Sequence, residues 1–117
     1  MTVRGIDATY YTVSDLERST KFYTELLGSE PAITIAGFVS EWTFADGSSF
    51  GLHHSPGYEG GRRGSVMFAV EDAAAAMAEA KQRGVRFEDD DVTETPVCKM
   101  VFGRDPDDNQ FILHQHK

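Results

Sequence analysis

With one cysteine, Cys98, among its 117 residues, the chain has no partner for an intrachain disulfide. A reducing, cytoplasmic setting is the simpler expectation. No apolar run approaches the roughly 20 residues that cross a bilayer, and no signal-peptide core follows the N-terminus. Low-complexity tracts are absent. Basic residues are scarce: 11 Lys and Arg stand against 19 Asp and Glu, a formal net charge of −8. Nucleic acid and anionic membranes present like charge, so neither is an expected partner. No glycine-rich phosphate loop follows a strand and no G-x-S-x-G occurs, which removes nucleotide-binding and serine-hydrolase signatures. Paired carboxylates stand only in turn-like segments, where water surrounds them and acid–base power is low.

What is present is ordinary for one folded domain: 40% hydrophobic and 26% charged residues. Thr9 to Gly28, TYYTVSDLERSTKFYTELLG, organises the rest. Thr9, Tyr11 and Val13 alternate with Tyr10 and Thr12, the period-2 pattern of a strand. Ser14 or Asp15 caps a helix, with Glu17 completing a capping box to Ser14. Leu16, Tyr23, Leu26 and Leu27, with Phe22 beside them, form one apolar stripe, and Gly28 supplies the left-handed stop.

The stretch recurs. Val66 to Gly84 repeats strand, acidic cap (Asp72), helix and glycine stop. Val13 and Asp15 match Val70 and Asp72 at an offset of 57. Phe50, Leu52 and His53 match Phe111, Leu113 and His114 at an offset of 61. An offset nearly constant across strand, cap and stop marks an internal repeat. Each half reads strand–helix–strand–strand–strand, an α+β fold of two βαβββ modules in a single domain. Module one covers about 1–54, a Gly- and Pro-rich connector 55–64, and module two about 65–117. The expected third strand, Phe38 to Ala45, carries Trp42, a candidate for core or for stacking on a planar ligand. Val85 to Phe87 is expected to begin the sixth strand. The pair Arg62–Arg63 reads as solvated loop charge before any anion site.

Alternation assigns faces. Thr9/Tyr11/Val13, Phe50/Leu52, Val66/Phe68/Val70 and Phe111/Leu113 suit the side covered by a helix. The opposite set is Ala8/Tyr10/Thr12, Ser49/Gly51/His53, Ser65/Met67/Ala69 and Ile112/His114. It mixes small, aromatic and polar residues, as the lining of a cleft does.

The repeat, the VSDLERSTKFYTELLG segment and the DPDDNQFIL ending resemble the vicinal oxygen chelate superfamily over nearly the whole chain. That superfamily includes glyoxalase I, extradiol dioxygenases, fosfomycin-resistance transferases and bleomycin-binding resistance proteins. The resemblance implies a cleft-bearing fold, usually in a homodimer. It also implies a divalent ion held by His, Glu or Gln. The matching positions here are Ala8, Gly51, Ser65 and Ile112, which lack suitable donors. No cofactor is therefore expected. The turn also departs from the family's DPDG, with Asp108 in place of glycine.

His53 and His114 occupy equivalent places, each two residues beyond an empty ligand position. They read as solvated strand-end histidines, as polar contacts in the cleft, or as a displaced metal or acid–base pair. His54 and His116 are expected to face the other way and to be exposed. Tyr10 and Met67 are mates by repeat and line the cleft or plug it. Cys98 reads as a small buried hydrophobe. The expected ligand-binding set is Tyr10, Thr12, His53, Ser65, Met67 and His114. The expected function is metal-free binding of an apolar or aromatic small molecule, resembling the antibiotic-sequestering branch. The alternative is a glyoxalase-like lyase or isomerase, or a dioxygenase, with rearranged ligands.

Overall fold

A computed structural model describes residues 1–2, 6–60 and 64–117. Arg62 and Arg63 lie outside the described residues. The elements run β1 (Ala8–Val13), α1 (Leu16–Leu27), β2 (Ile33–Ile35), β3 (Val39–Thr43), β4 (Ser49–His54), β5 (Ser65–Ala69), α2 (Ala73–Gln82), β6 (Thr93–Glu94), β7 (Cys98–Arg104) and β8 (Gln110–His116). The two sheets share one topology, β1-β4-β3-β2 and β5-β8-β7-β6. In each, the strand before the helix pairs in parallel with the last strand of its module. Parallel neighbours need a long crossover, and the helix with two intervening strands provides it.

Both helices start on the aspartates that the repeat singles out. The Asp15 carboxylate accepts the Arg18 N–H at 3.0 Å. Asp72 does the same for Ala75 at 3.0 Å. Each satisfies a backbone donor that a helix start leaves open. Gly28 ends α1 at φ 73°, its N–H bonded to Thr24 O. The expected capping box from Ser14 to Glu17 does not form. The helix begins one residue later, which frees Ser14 for the other module. Its N–H and hydroxyl both donate to the Asp107 carboxylate, at 3.1 and 2.5 Å.

The sixth strand also departs from expectation. It is Thr93–Glu94 rather than Val85 to Phe87, and Phe87 keeps only an isolated bridge to Gly103. Val85 is buried and the Phe87 ring packs edge-on against Phe111 at 5.6 Å. Glu88 then turns to Arg104 at 2.5 Å, carrying the acidic run out of the ladder.

Except for Thr9, which is exposed at the start of β1, the helix-side residues named from alternation form one core spanning both modules. Val13, Leu52 and Phe111 have no exposed surface, and Tyr11, Phe50, Phe68 and Leu113 are buried with them. The Phe50 ring lies 4.9 Å from Tyr23 and 5.1 Å from Phe68, so one aromatic chain crosses between modules. Trp42 is core: it is buried against Phe50 and donates its indole N–H to Ser29 O at 2.9 Å. Cys98 is a buried free thiol.

A polar seam completes the join. Asp105 Oδ1 accepts the N–H groups of Asp107 and Asn109, at 2.9 and 2.8 Å. Its Oδ2 accepts Asn109 Nδ2 and the Tyr23 hydroxyl, at 3.0 and 2.8 Å. Asp105, Asp107 and Asn109 are all buried. Asp108 supplies the positive φ, 66°, that glycine usually gives such a turn.

Candidate functional site

The faces turned away from the helices carry the expected cleft residues in cross-strand rows. In module one, Tyr10 stands opposite Gly51, and Gly51 opposite Glu41. The Tyr10 ring lies flat over Gly51: a Cβ there would sit 2.5 Å from the ring. Reaching across the glycine, the phenol donates to Glu41 Oε1 at 2.5 Å. This hydrogen bond, then partial burial and the carboxylate's charge, push the Tyr10 pKa up to about 12. The phenol is therefore a neutral donor, and Glu41 is its acceptor. Glu41 has no cationic partner among the described ion pairs.

The neighbouring row joins Thr12 to His53, with the hydroxyl 2.8 Å from Nε2. Ser55 Oγ is 3.5 Å from the other ring nitrogen, and the Tyr10 and His53 rings are 6.1 Å apart. In module two the row equivalent to Tyr10–Gly51 is apolar, with Met67 opposite Ile112, and His114 stands opposite Ala69. Ser65 donates its hydroxyl to Gln110 Oε1 at 3.0 Å. A hollow of about 510 Å³ opens beside β1 and β5, walled by Tyr10, Thr12, Ser55, Tyr58 and Ser65. Three of the six expected ligand residues meet there. His53 adjoins it through Thr12 and Ser55, whereas Met67 and His114 lie further along the sheet of module two.

The two other histidines need correction. His54 does face away from His53, but it is half-buried rather than exposed, with Nδ1 3.1 Å from Val13 O. His116 faces the same way as His114, because residues two apart in a strand share a face. Their rings meet edge-on at 4.6 Å. The described side-chain contacts of His53 are Thr12, Ser55 and Tyr10, and that of His114 is His116. Sequence reading also missed a hollow of about 880 Å³ on the helix side, between α1 and the β2–β3 hairpin. Ser14, Thr20, Ser40 and His54 are among its walls. Its only sequence trace is small polar residues on facing elements.

A model of the Glyoxalase/Bleomycin resistance protein/Dioxygenase superfamily matches residues 5–113. The chain belongs to this superfamily. Solved structures agree on the fold. A glyoxalase/bleomycin resistance protein from Albidiferax ferrireducens T118 superposes at a TM-score of 0.79 and 20% identity, covering 96% of this chain and 98% of that one. One from Catenulispora Acidiphila DSM 44928 gives 0.76 and 21%, covering 95% and 98%. A virulence protein from Salmonella typhimurium gives 0.76 and 22%, covering 100% of both. At these identities the likeness speaks for the fold alone. No curated protein matches the chain.

The superfamily's metal seat can be tested against this donor set. Gly51 and Ala8 have no donor atom, and Gly51 is roofed by the Tyr10 ring. Ile112 is buried and apolar, and the Ser65 hydroxyl is engaged with Gln110. No three His, Cys, Asp or Glu side chains cluster anywhere among the described residues. The residues at these four positions do not fit a divalent ion.

Proposed function

We propose that the protein binds an apolar or aromatic small molecule in the cleft without a metal and sequesters it. One observation carries this reading: at the superfamily's metal seat a tyrosine ring lies over a glycine. That exchange turns an ion's place into a flat apolar floor. Polar atoms stand at its edge: the Tyr10 hydroxyl with Glu41, Thr12 with His53, and Ser65. A planar ligand would stack on Tyr10, and Met67 would adapt to its outline. Affinity would come from buried apolar area, and orientation from the polar rim. The lone buried thiol and the acidic surface suit a cytoplasmic protein.

We also read the protein as a homodimer. Tyr10, Ile33, Ile35 and Met67 project from the cleft side of the sheets, and all four are exposed in the single chain. An apolar surface of this kind marks a site of association or binding. Sedimentation equilibrium is expected to give twice the 12.9 kDa of one chain. Ile35→Asp is expected to shift it to the single-chain mass. A wild-type monomer would end the dimer reading.

The ligand reading is tested by thermal shift against a panel of planar aromatic compounds. A ligand at about 100 times its Kd stabilises by about 2.7 kcal/mol. Tyr10→Ala should abolish that shift, and Met67 methyl resonances should move on binding. Trp42 fluorescence is expected to stay silent, because the indole is walled into the core. Protein purified without chelator should carry no stoichiometric zinc, nickel, manganese or iron. Finding one, with chelator-sensitive lyase, isomerase or dioxygenase activity, would replace this reading with the enzyme alternative.

A further inference from the structure

The far end of the module-two sheet brings four residues with soft or borderline donors onto one face. On β8, His114 and His116 share a face and their rings touch at 4.6 Å. On the neighbouring strand β7, Met100 is directly opposite His114, and Cys98 is directly opposite His116. Directly opposed residues in an antiparallel pair share a face, with Cβ atoms about 5 Å apart. By register, Met100 and Cys98 therefore stand beside the two imidazoles, with the Cys98 thiol turned to Thr95 rather than gathered with the two histidines. No carboxylate belongs to this group. Neither the superfamily's metal seat, at Ala8, Gly51, Ser65 and Ile112, nor the hollow beside Tyr10 uses these residues.

We propose that His114, His116 and Met100 form a binding site for a soft monovalent metal ion, Cu(I), with Cys98 as the adjoining fourth donor. Donor chemistry selects the metal. Thioether and thiolate ligands favour Cu(I), imidazole suits copper, and hard ions such as Mg²⁺ and Ca²⁺ require oxygen. The edge-on contact of the two imidazoles keeps both rings at one place on the sheet. Three neutral donors suit a monovalent ion, whose binding through them displaces no proton. The Cys98 sulfur now lies 3.1 Å from Thr95 Oγ1. It would join by turning from Thr95 and losing its proton to solvent. The site is distinct from the cleft ligand, and neither proposal depends on the other.

The test is anaerobic titration of the full-length chain with Cu(I) against a chromogenic Cu(I) chelator. One Cu(I) per chain is expected. His114→Gln, His116→Gln and Met100→Leu should each weaken binding by at least about tenfold. His54→Gln, on the other face, should leave it unchanged. X-ray absorption of the wild-type complex should show nitrogen and sulfur neighbours, with the sulfur signal reduced in Met100→Leu. Circular dichroism of each variant separates lost ligation from lost fold. Failure of the wild-type chain to compete with the chelator would overturn the site. So would unchanged affinity in Met100→Leu, or displacement of Cu(I) by equimolar Zn²⁺.

Discussion

Asp105→Ala is expected to cost about 3–4 kcal/mol of stability and to lower Tm by about 10–15 °C. The carboxylate is buried and accepts four hydrogen bonds: two backbone N–H groups of its own turn, the Asn109 side chain and the Tyr23 hydroxyl. Bonds to a charged acceptor are worth about 1.5–3 kcal/mol each, and orphaning buried donors costs more than the mean. Alanine would take the acceptor from all four, three of them on fully buried residues, Tyr23 and Asn109. Tyr23→Phe removes one donor and leaves the other three satisfied, so about 1 kcal/mol is expected for it. A double-mutant cycle in urea measures the coupling. Asp105→Ala melting within 2–3 °C of the parent would mean that the seam contributes little.

The same seam sets an alkaline limit. Burial, followed by the charge of Asp105 and the hydrogen bond to it, raises the Tyr23 pKa far above the ordinary tyrosine value. Burial likewise raises that of Tyr11. A pKa raised in the folded state adds stability that is fully present below the unfolded value, about 10, and is lost as pH rises above it. Unfolding should therefore set in above about pH 10, with tyrosinate absorbance rising in the same cooperative step.

Gly51→Ala is expected to move the Tyr10 pKa from about 12 toward the ordinary value of 10.0, a change of about a hundredfold in proton affinity. An added Cβ would meet the ring at 2.5 Å. The ring can swing away because its far end is open to the cleft, so the stability cost should stay below about 1 kcal/mol. The hydrogen bond to Glu41 cannot survive that swing. Glu41→Gln should produce a similar shift by a different route, removing the charge while leaving the ring in place. Tyrosine-specific absorbance across pH 9–12 reads both variants. Thermal shift reads the ligand: Gly51→Ala, which tilts the floor, should weaken an aromatic ligand more than Glu41→Gln does. If Gly51→Ala leaves both the phenol and the ligand untouched, the ring over glycine is not the floor of the site.

The repeat was readable because a fold made of two like modules writes its grammar twice. Asp15 and Asp72 both cap helices, and Phe50, Leu52, Phe111 and Leu113 all reach the core. The sixth strand was harder. Val85 to Phe87 has strand-like residues, but packing of Phe87 on Phe111 and the Glu88–Arg104 pair outweigh the ladder. Local spacing assigns Ser14 to its own helix, whereas its partner is Asp107, across the domain.

By itself the sequence determined the two modules, the aspartate caps of their helices, the face that most strand residues take and the lack of donors at the four metal positions. Those properties are local, set by period, by capping chemistry and by residue type. Only tertiary structure decided that Tyr10 lies over Gly51 to reach Glu41. It likewise decided that His53 pairs with Thr12 and that Asp105 anchors Tyr23. These contacts join residues remote in sequence, through strand register and the packing of one module on the other, and no local pattern encodes either.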